Sequence, residues 1–258
     1  MTQVDPVMMS SISWIEFQRR VSQENLVVFI PCGSLEQHGP HLPLGTDALL
    51  CTAVAQSVAR EINGLVAPTL NYGYKSQPRC GGGQHFPGTT SLDGNSLSQM
   101  TRDIIRELAR HQVRHIAFID GHYENQWFLT EGIELAMRDL GKTAAVQVMR
   151  LEYWDFCSEQ TLIEVFPEGF PGFALEHAAV IETSLMLHYY PELVHLELLP
   201  SDGPAEFPAY DLYPADTTLV PASGVLSSAK GASLQKGALL ATQISKSIAA
   251  AVHKEFCP

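Results

Sequence analysis

Two short apolar runs, Leu26-Val-Val-Phe-Ile30 and His115-Ile-Ala-Phe-Ile119, constrain this chain more than any other feature. Neither shows the in–out alternation of a half-exposed strand, so both read as strands buried on two faces. Between and after them the apolar spacing turns helical. Leu49, Leu50, Ala53, Val54, Val58 and Ile62 predict a helix over 47–62, with Thr46 or Asp47 as its N-cap. A strand at 65–68 and a Gly/Pro-rich loop over 71–94 follow. Next come a helix bearing Leu97, Met100, Ile104, Ile105 and Leu108, the strand at 115–119, and a helix over 128–140. A strand at 144–148 and helices over 178–190 and 234–256 complete the pattern. Strands alternating with helices predict an α/β fold with a largely parallel sheet covered on both faces. Ligands in such folds bind at the carboxyl ends of strands.

The chain has 258 residues, 45% of them hydrophobic, and no Pro/Ser-rich linker or charge block divides it. One domain spanning 1–258 is therefore expected. Its formal charge is 16 − 28 = −12, without Lys/Arg clusters. That argues against nucleic acid or an anionic membrane as partner and favours a small neutral or cationic substrate. The five cysteines are scattered with no CxxC. The start, Met1-Thr-Gln-Val-Asp-Pro, lacks the pattern of a signal peptide. No apolar run approaches the roughly 18 residues that span a bilayer. A reducing cytoplasm is the expected location.

Directly after the two buried strands come Ser34-Leu-Glu-Gln-His-Gly39 and Asp120-Gly-His-Tyr-Glu-Asn125. Each sets a carboxylate and an imidazole two residues apart. With Asp47, the residues Glu36, His38, His122 and Glu124 form a mixed N/O set large enough for two divalent cations. Such ions about 3.5–4 Å apart can share a water and turn it into hydroxide near neutral pH. Imidazole and carboxylate suit Zn(II) or Mn(II), and the lack of thiolate ligands disfavours a closed structural zinc site. There is no HExxH motif, so the site must be assembled from separate strand ends. Blander readings exist for each residue: Asp47 as a helix cap, His122 and Glu124 as a strand-end hydrogen-bonding pair.

Three further segments matter. Gly81-Gly-Gly-Gln-His-Phe-Pro-Gly-Thr-Thr90 lacks the lysine and spacing of a phosphate loop. It reads as backbone brought close to a buried site, with His85 either a supporting group or an ordinary loop residue. Glu176-His177, followed by Glu182, offers an imidazole to protonate a leaving nitrogen. Trp154 and Phe173 are either core aromatics or a lid over a small planar substrate. His111, His115, His188, His195 and His253 read as surface or helix-end residues.

At these positions the chain resembles the creatininase (creatinine amidohydrolase) family, nearly end to end. The general signature is Glu36-x-His38, Asp47 and Gly121-His122-x-Glu124-Asn125. Tyr74-Lys-Ser-Gln77, the 81–94 loop, Tyr153-Trp-Asp-Phe156 and Pro167-Glu-Gly-Phe170 are similar to its creatinine-hydrolysing branch. The resemblance implies a three-layer α/β/α fold and a binuclear centre of Zn(II) and/or Mn(II). Glu36 and His122 would hold one ion, His38 and Glu124 the other, and Asp47 would bridge. It implies hydrolysis of creatinine to creatine by a metal-bridging hydroxide. Glu124 would relay a proton, His177 would act as proton shuttle, and Glu182 would stand nearby. Cys80, Tyr123, Trp154, Phe173 and His177 would border the substrate. It also implies a homohexamer, a trimer of dimers. Two positions depart from the family: Cys80 replaces a substrate-contacting serine and Phe173 a lid tryptophan. They keep open a hydrolase of another C–N bond, a formamide or peptide terminus. A non-catalytic metal-binding protein is the remaining alternative.

Overall fold

The structure, a computed structural model, describes residues 6–22, 26–141, 145–202 and 204–256. In chain order its regular elements are α1 (Trp14–Val21), β1 (Val27–Cys32), α2 (Thr46–Glu61), β2 (Gly64–Val66), α3 (Pro78–Gly81) and α4 (Gly94–Arg110). They continue with β3 (His115–Asp120), α5 (Gln126–Leu140), β4 (Gln147–Glu152), α6 (Glu159–Val165), α7 (Val180–Tyr189) and α8 (Leu234–Phe256). The four strands form one sheet in the order β2-β1-β3-β4, parallel throughout.

The unbroken apolarity of β1 and β3 has the structural outcome it demands. Successive side chains of a strand point to opposite faces, and here both faces are packed. Val27, Phe29, Ala117 and Ile119 join Leu50, Val54, Leu185 and Ile244 in a core beneath α2, α7 and α8. Val28, Ile30, Ile116 and Phe118 join Leu97, Ile105, Leu129 and Ala136 beneath α4 and α5. All of these side chains are essentially excluded from solvent. Each buried Val, Leu, Ile or Phe is worth about 1.5–3 kcal/mol relative to exposure, so a charge at Ile119 or Phe118 would unseat the whole layer.

The strand order reverses between β1 and β3. From β1 the chain crosses to β2 on one side, then returns beyond β1 to lay down β3 on the other. Such a switch point leaves a crevice at the carboxyl ends of the two central strands. The register pairs Cys32 with Asp120 there, so the 34–39 and 121–125 segments leave the sheet side by side.

Several local expectations are corrected. α2 begins at Thr46 with Gly45 as N-cap, and neither Thr46 nor Asp47 caps it. The Thr46 hydroxyl instead donates to the Pro43 carbonyl at 2.7 Å, leaving the Asp47 carboxylate free. The strand expected over 144–148 lies at Gln147–Glu152. Ala144 and Cys257 fall outside the described residues. The 71–94 loop contains the single turn α3. Among the described residues no helix is long and apolar enough to cross a membrane.

Candidate active site

Three chain turns deliver acidic side chains to the crevice. Asp47 and Glu182 sit in the first turns of α2 and α7, and Glu124 lies in the 3-10 turn Tyr123–Asn125 that leads into α5. Helix N-termini carry partial positive charge that favours anions. Glu36 and His38 come from the loop after β1. Glu36, His38, Asp47 and His122 are each 2% exposed or less.

The two histidines are oriented in the same way. His38 Nδ1 lies 3.2 Å from the Glu36 carbonyl oxygen and His122 Nε2 lies 2.9 Å from that of Tyr74. A carbonyl only accepts, so each of these nitrogens carries the proton and the other ring nitrogen faces the carboxylates. His38 Nε2 is 2.9 Å from Asp47 Oδ1 and 3.6 Å from Glu182 Oε1. His122 Nδ1 is 3.1 Å from both Glu36 Oε1 and Asp47 Oδ2. Asp47 thus directs one oxygen at each imidazole.

So many buried carboxylates oppose one another. Burial pushes the Glu36 carboxyl up to about 7, although His122 pulls against it. Burial also raises Glu124, against the pull of His122. Burial disfavours charge on His38 and His122, yet the surrounding carboxylates outweigh it and hold both imidazoles well above their ordinary value. Burial likewise opposes ionisation of Asp47, but His38 and His122 keep it below the usual carboxylate range. The arrangement calls for positive charge between its members.

Divalent cations fit that call. Glu36 Oε2, His38 Nε2, Asp47 Oδ2 and Glu124 Oε2 are buried without a hydrogen-bond partner. Buried polar atoms are ordinarily satisfied, and an orphaned set facing one space marks cation ligands. Glu36, Asp47 and His122 bring ligand atoms within 4.8 Å of one another, as do His38, Asp47 and Glu182. Both histidines have the backbone-anchored N–H that would fix a metal-binding tautomer. Glu124 lies beside His122: its Oε2 is 3.4 Å from His122 Nε2, and its Oε1 accepts from the Gln77 amide at 2.6 Å.

His177 occupies the wall next to this group, its ring tilted against His38 at a centroid distance of 4.4 Å. Gln37, which spacing alone does not single out, determines its tautomer. The Gln37 amide spends both hydrogens on the carbonyls of Gly81 (3.1 Å) and Gly224 (2.8 Å). His177 Nε2 lies 2.9 Å from the Gln37 backbone carbonyl oxygen, which only accepts, and 2.8 Å from Gln37 Nε2. With both amide hydrogens directed to Gly81 and Gly224, His177 Nε2 is the donor to that backbone carbonyl. Its Nδ1 keeps a lone pair facing the site, 3.7 Å from Glu36 Oε1. Burial, and then the charge of His38, hold this imidazole well below its ordinary value.

These groups open into a pocket of about 430 Å³, its mouth included, whose walls include Cys80, Tyr123, Trp154, Phe173, Glu176 and Ile181. Tyr123 and Trp154 stack at 6.2 Å with planes 14° apart. Trp154 and Phe173 also pack on the main core, so the core and lid readings of these aromatics coexist. Gly81 lies where a Cβ would stand 2.8 Å from Glu36 Oε2 and 3.2 Å from Glu124 Oε1, which explains the glycine at that point of the 81–94 loop. His85 is exposed and stacks on Phe86, away from the site. His115 stacks on Phe256 and His195 pairs with Glu197.

Sequence reading also missed what ties the segments together. Asn125 donates to the Gly33 carbonyl and to Asp120 Oδ1, and accepts from the Tyr74 amide. Asp120 Oδ1 also accepts from the His122 amide at 3.1 Å. One buried amide thus joins the loops after β1 and β3 to the 74 segment.

Fold and site define an α/β protein with a buried two-histidine, multi-carboxylate cluster, a candidate cation site, at the switch point of a parallel sheet. The chain belongs to the creatininase family: the family model described as "Creatininase: Creatinine amidohydrolase" matches residues 10–252. A creatinine amidohydrolase of Pseudomonas putida is 49% identical over 256 residues, covering 98% of each chain. A solved creatininase variant of Zn-Zn type superposes with a TM-score of 0.96 at 47% identity, covering 98% of this chain and 99% of that one. A creatininase variant complexed with creatine gives a TM-score of 0.94 at 48% identity, with the same coverage.

Proposed function

We propose that this chain hydrolyses the cyclic amide of creatinine, adding water to give creatine. The observation that carries the reading is the Asp47 carboxylate placed between two backbone-anchored imidazoles, on the floor of a small aromatic-walled pocket. The likeness of the chain to the Pseudomonas putida amidohydrolase, 49% identity over 98% of its length, supports it. Two divalent ions, Zn(II) and/or Mn(II), would be held by Glu36 and His122 on one side and His38 on the other, with Asp47 between. Glu124 and Glu182 are the carboxylates left to complete the second position. When bound, such ions lower the pKa of water and polarise a carbonyl oxygen.

The remaining work falls to the chain's own groups. Tyr123, Trp154 and Phe173 enclose a flat ring and exclude bulk water, which strengthens every electrostatic contact inside. His177 Nδ1, aprotic and turned toward Glu36, takes a proton from the attacking water. It returns that proton to the ring nitrogen as the C–N bond breaks. Glu124, with one oxygen fixed by the Gln77 amide, has the other free to relay a proton. Cys80 borders the pocket beside Glu124 and is a weaker hydrogen-bond donor than serine. A homohexameric assembly belongs to the same reading; light scattering of the purified protein tests it.

Paired variants separate the roles. His177→Ala should keep its metal and lose most creatinine turnover, whereas Asp47→Ala should lose both. Near-full activity in His177→Ala would refute the shuttle assignment.

A further inference from the structure

Glu176 lines the same pocket, and no step above uses it. It ends the 3-10 turn Phe173–Leu175 and is 5% exposed. Its two oxygens have different fates. Oε2 accepts from the Ile181 amide at 2.7 Å and so satisfies a free N–H in the first turn of α7. Oε1 is buried and has no partner.

An acceptor left unpaired in a dry place costs free energy unless something fills it. The neighbouring polar groups of this wall are committed elsewhere. His177 turns toward Gln37 and Glu36. Glu182 accepts from the Ala178 amide and faces His38. Phe173 and Ile181 offer only apolar surface. With the ring carbonyl against the cation ligands, Glu176 is a wall residue within the same pocket that the rest of the ligand can meet. Creatinine carries there an amidine carbon bearing an exocyclic nitrogen with hydrogens to donate.

We propose that Glu176 Oε1 is a specificity-determining acceptor that takes an N–H from that exocyclic nitrogen, while Oε2 holds the start of α7. The inference rests on reading the pocket as a creatinine site and adds how it tells an amidine from a plain imide. A site built to accept a substrate N–H rejects an analogue that presents oxygen there, because two acceptors are then opposed. 1-Methylhydantoin is that analogue: the same ring, with a carbonyl oxygen in place of the exocyclic nitrogen.

Glu176→Gln is the informative variant. The glutamine carbonyl can still accept from the Ile181 amide, and its NH₂ replaces Oε1, turning acceptor into donor. Affinities of creatinine and 1-methylhydantoin would be measured on the metal-loaded protein by calorimetry, with KM and kcat for creatinine alongside. Wild type should favour creatinine, and the variant should narrow or reverse that ratio by roughly 10- to 100-fold, the size of one buried hydrogen bond made in one complex and left unmade in the other. KM should move more than kcat, with metal content and thermal midpoint close to wild type. An unchanged ratio in a folded, metal-loaded variant overturns the role of Glu176. If Glu176→Gln does not fold, Glu176→Asp, which keeps the carboxyl but withdraws it, should weaken creatinine more than 1-methylhydantoin; equal weakening overturns the role. If wild type binds creatinine without turning it over, the ratio still tests Glu176 and only the proposed reaction fails. If wild type binds neither ligand, both fail together.

Discussion

Truncating Asn125 should cost this protein a large part of its stability, and the size can be worked from three hydrogen bonds. The side chain is fully buried and spans 3.2 Å to the Gly33 carbonyl, 3.0 Å to Asp120 Oδ1 and 2.8 Å from the Tyr74 amide. Asn125→Ala removes all three. Asp120 Oδ1 keeps the His122 amide, but the Gly33 carbonyl and Tyr74 amide lose their partner. Three average bonds are worth about 3 kcal/mol, and two orphaned buried groups can raise that to about 6 kcal/mol. Against a typical total of about 5–15 kcal/mol, the variant should be severely weakened. Urea unfolding followed by circular dichroism, with chelator present so that bound metal does not contribute, reads the change. The midpoint should fall with the slope unchanged. Zn(II) affinity should fall too, because the loop bearing His122 and Glu124 loses its anchor. A loss below about 1 kcal/mol would refute the view that this amide joins the two motifs.

Other consequences can be checked independently. Gly81→Ala drives a methyl into the buried Ser76 hydroxyl and to 2.8 Å from Glu36 Oε2. It should lower metal affinity at least tenfold and cost about 1–3 kcal/mol of stability, read by metal competition and thermal melts. Gly237→Ala pushes a Cβ into the Ser184 carbonyl where α8 crosses α7. The overpacking should cost about 1–3 kcal/mol, several degrees of thermal midpoint, despite alanine's better helix propensity. Chelation should lower the thermal midpoint, since it leaves Glu36, Asp47 and Glu124 with only the His38 and His122 imidazoles to offset them, and added Zn(II) or Mn(II) should restore it.

Legibility in the sequence followed how local each signal was. β1 and β3 could be read because burial on both faces makes a strand apolar throughout, and α2, α4 and α8 because one apolar stripe repeats at helical spacing. β4 was displaced because the apolar spacing read over 144–148 ends just inside it, and Arg150 breaks the apolar pattern of Met149 and Leu151 beyond. Its extent is set by pairing with β3 as far as Glu152, and pairing is not visible in composition. α1 and α6 were missed although each has a serine cap, Ser13 to the Glu16 amide and Ser158 to the Thr161 amide; the first carries the Ser-x-x-Glu sequence of a helix start. At the site, carboxylate and imidazole side chains announced themselves through spacing after the strands. Gln37, Asn125 and Glu176 did not reveal their roles, because an amide or a lone carboxyl gains its part only from the loops that fold around it. Asp47 shows the reverse: as a helix cap it would be silent, and only Gly45 taking the cap position frees it for His38 and His122.

The most direct test of the account is creatine formation from creatinine by protein loaded with Mn(II) or Zn(II), beside the same protein after chelation. Steady production of creatine by the loaded protein, abolished by chelation and recovered on adding metal, is the predicted result. A folded, metal-loaded protein that leaves creatinine untouched would contradict it.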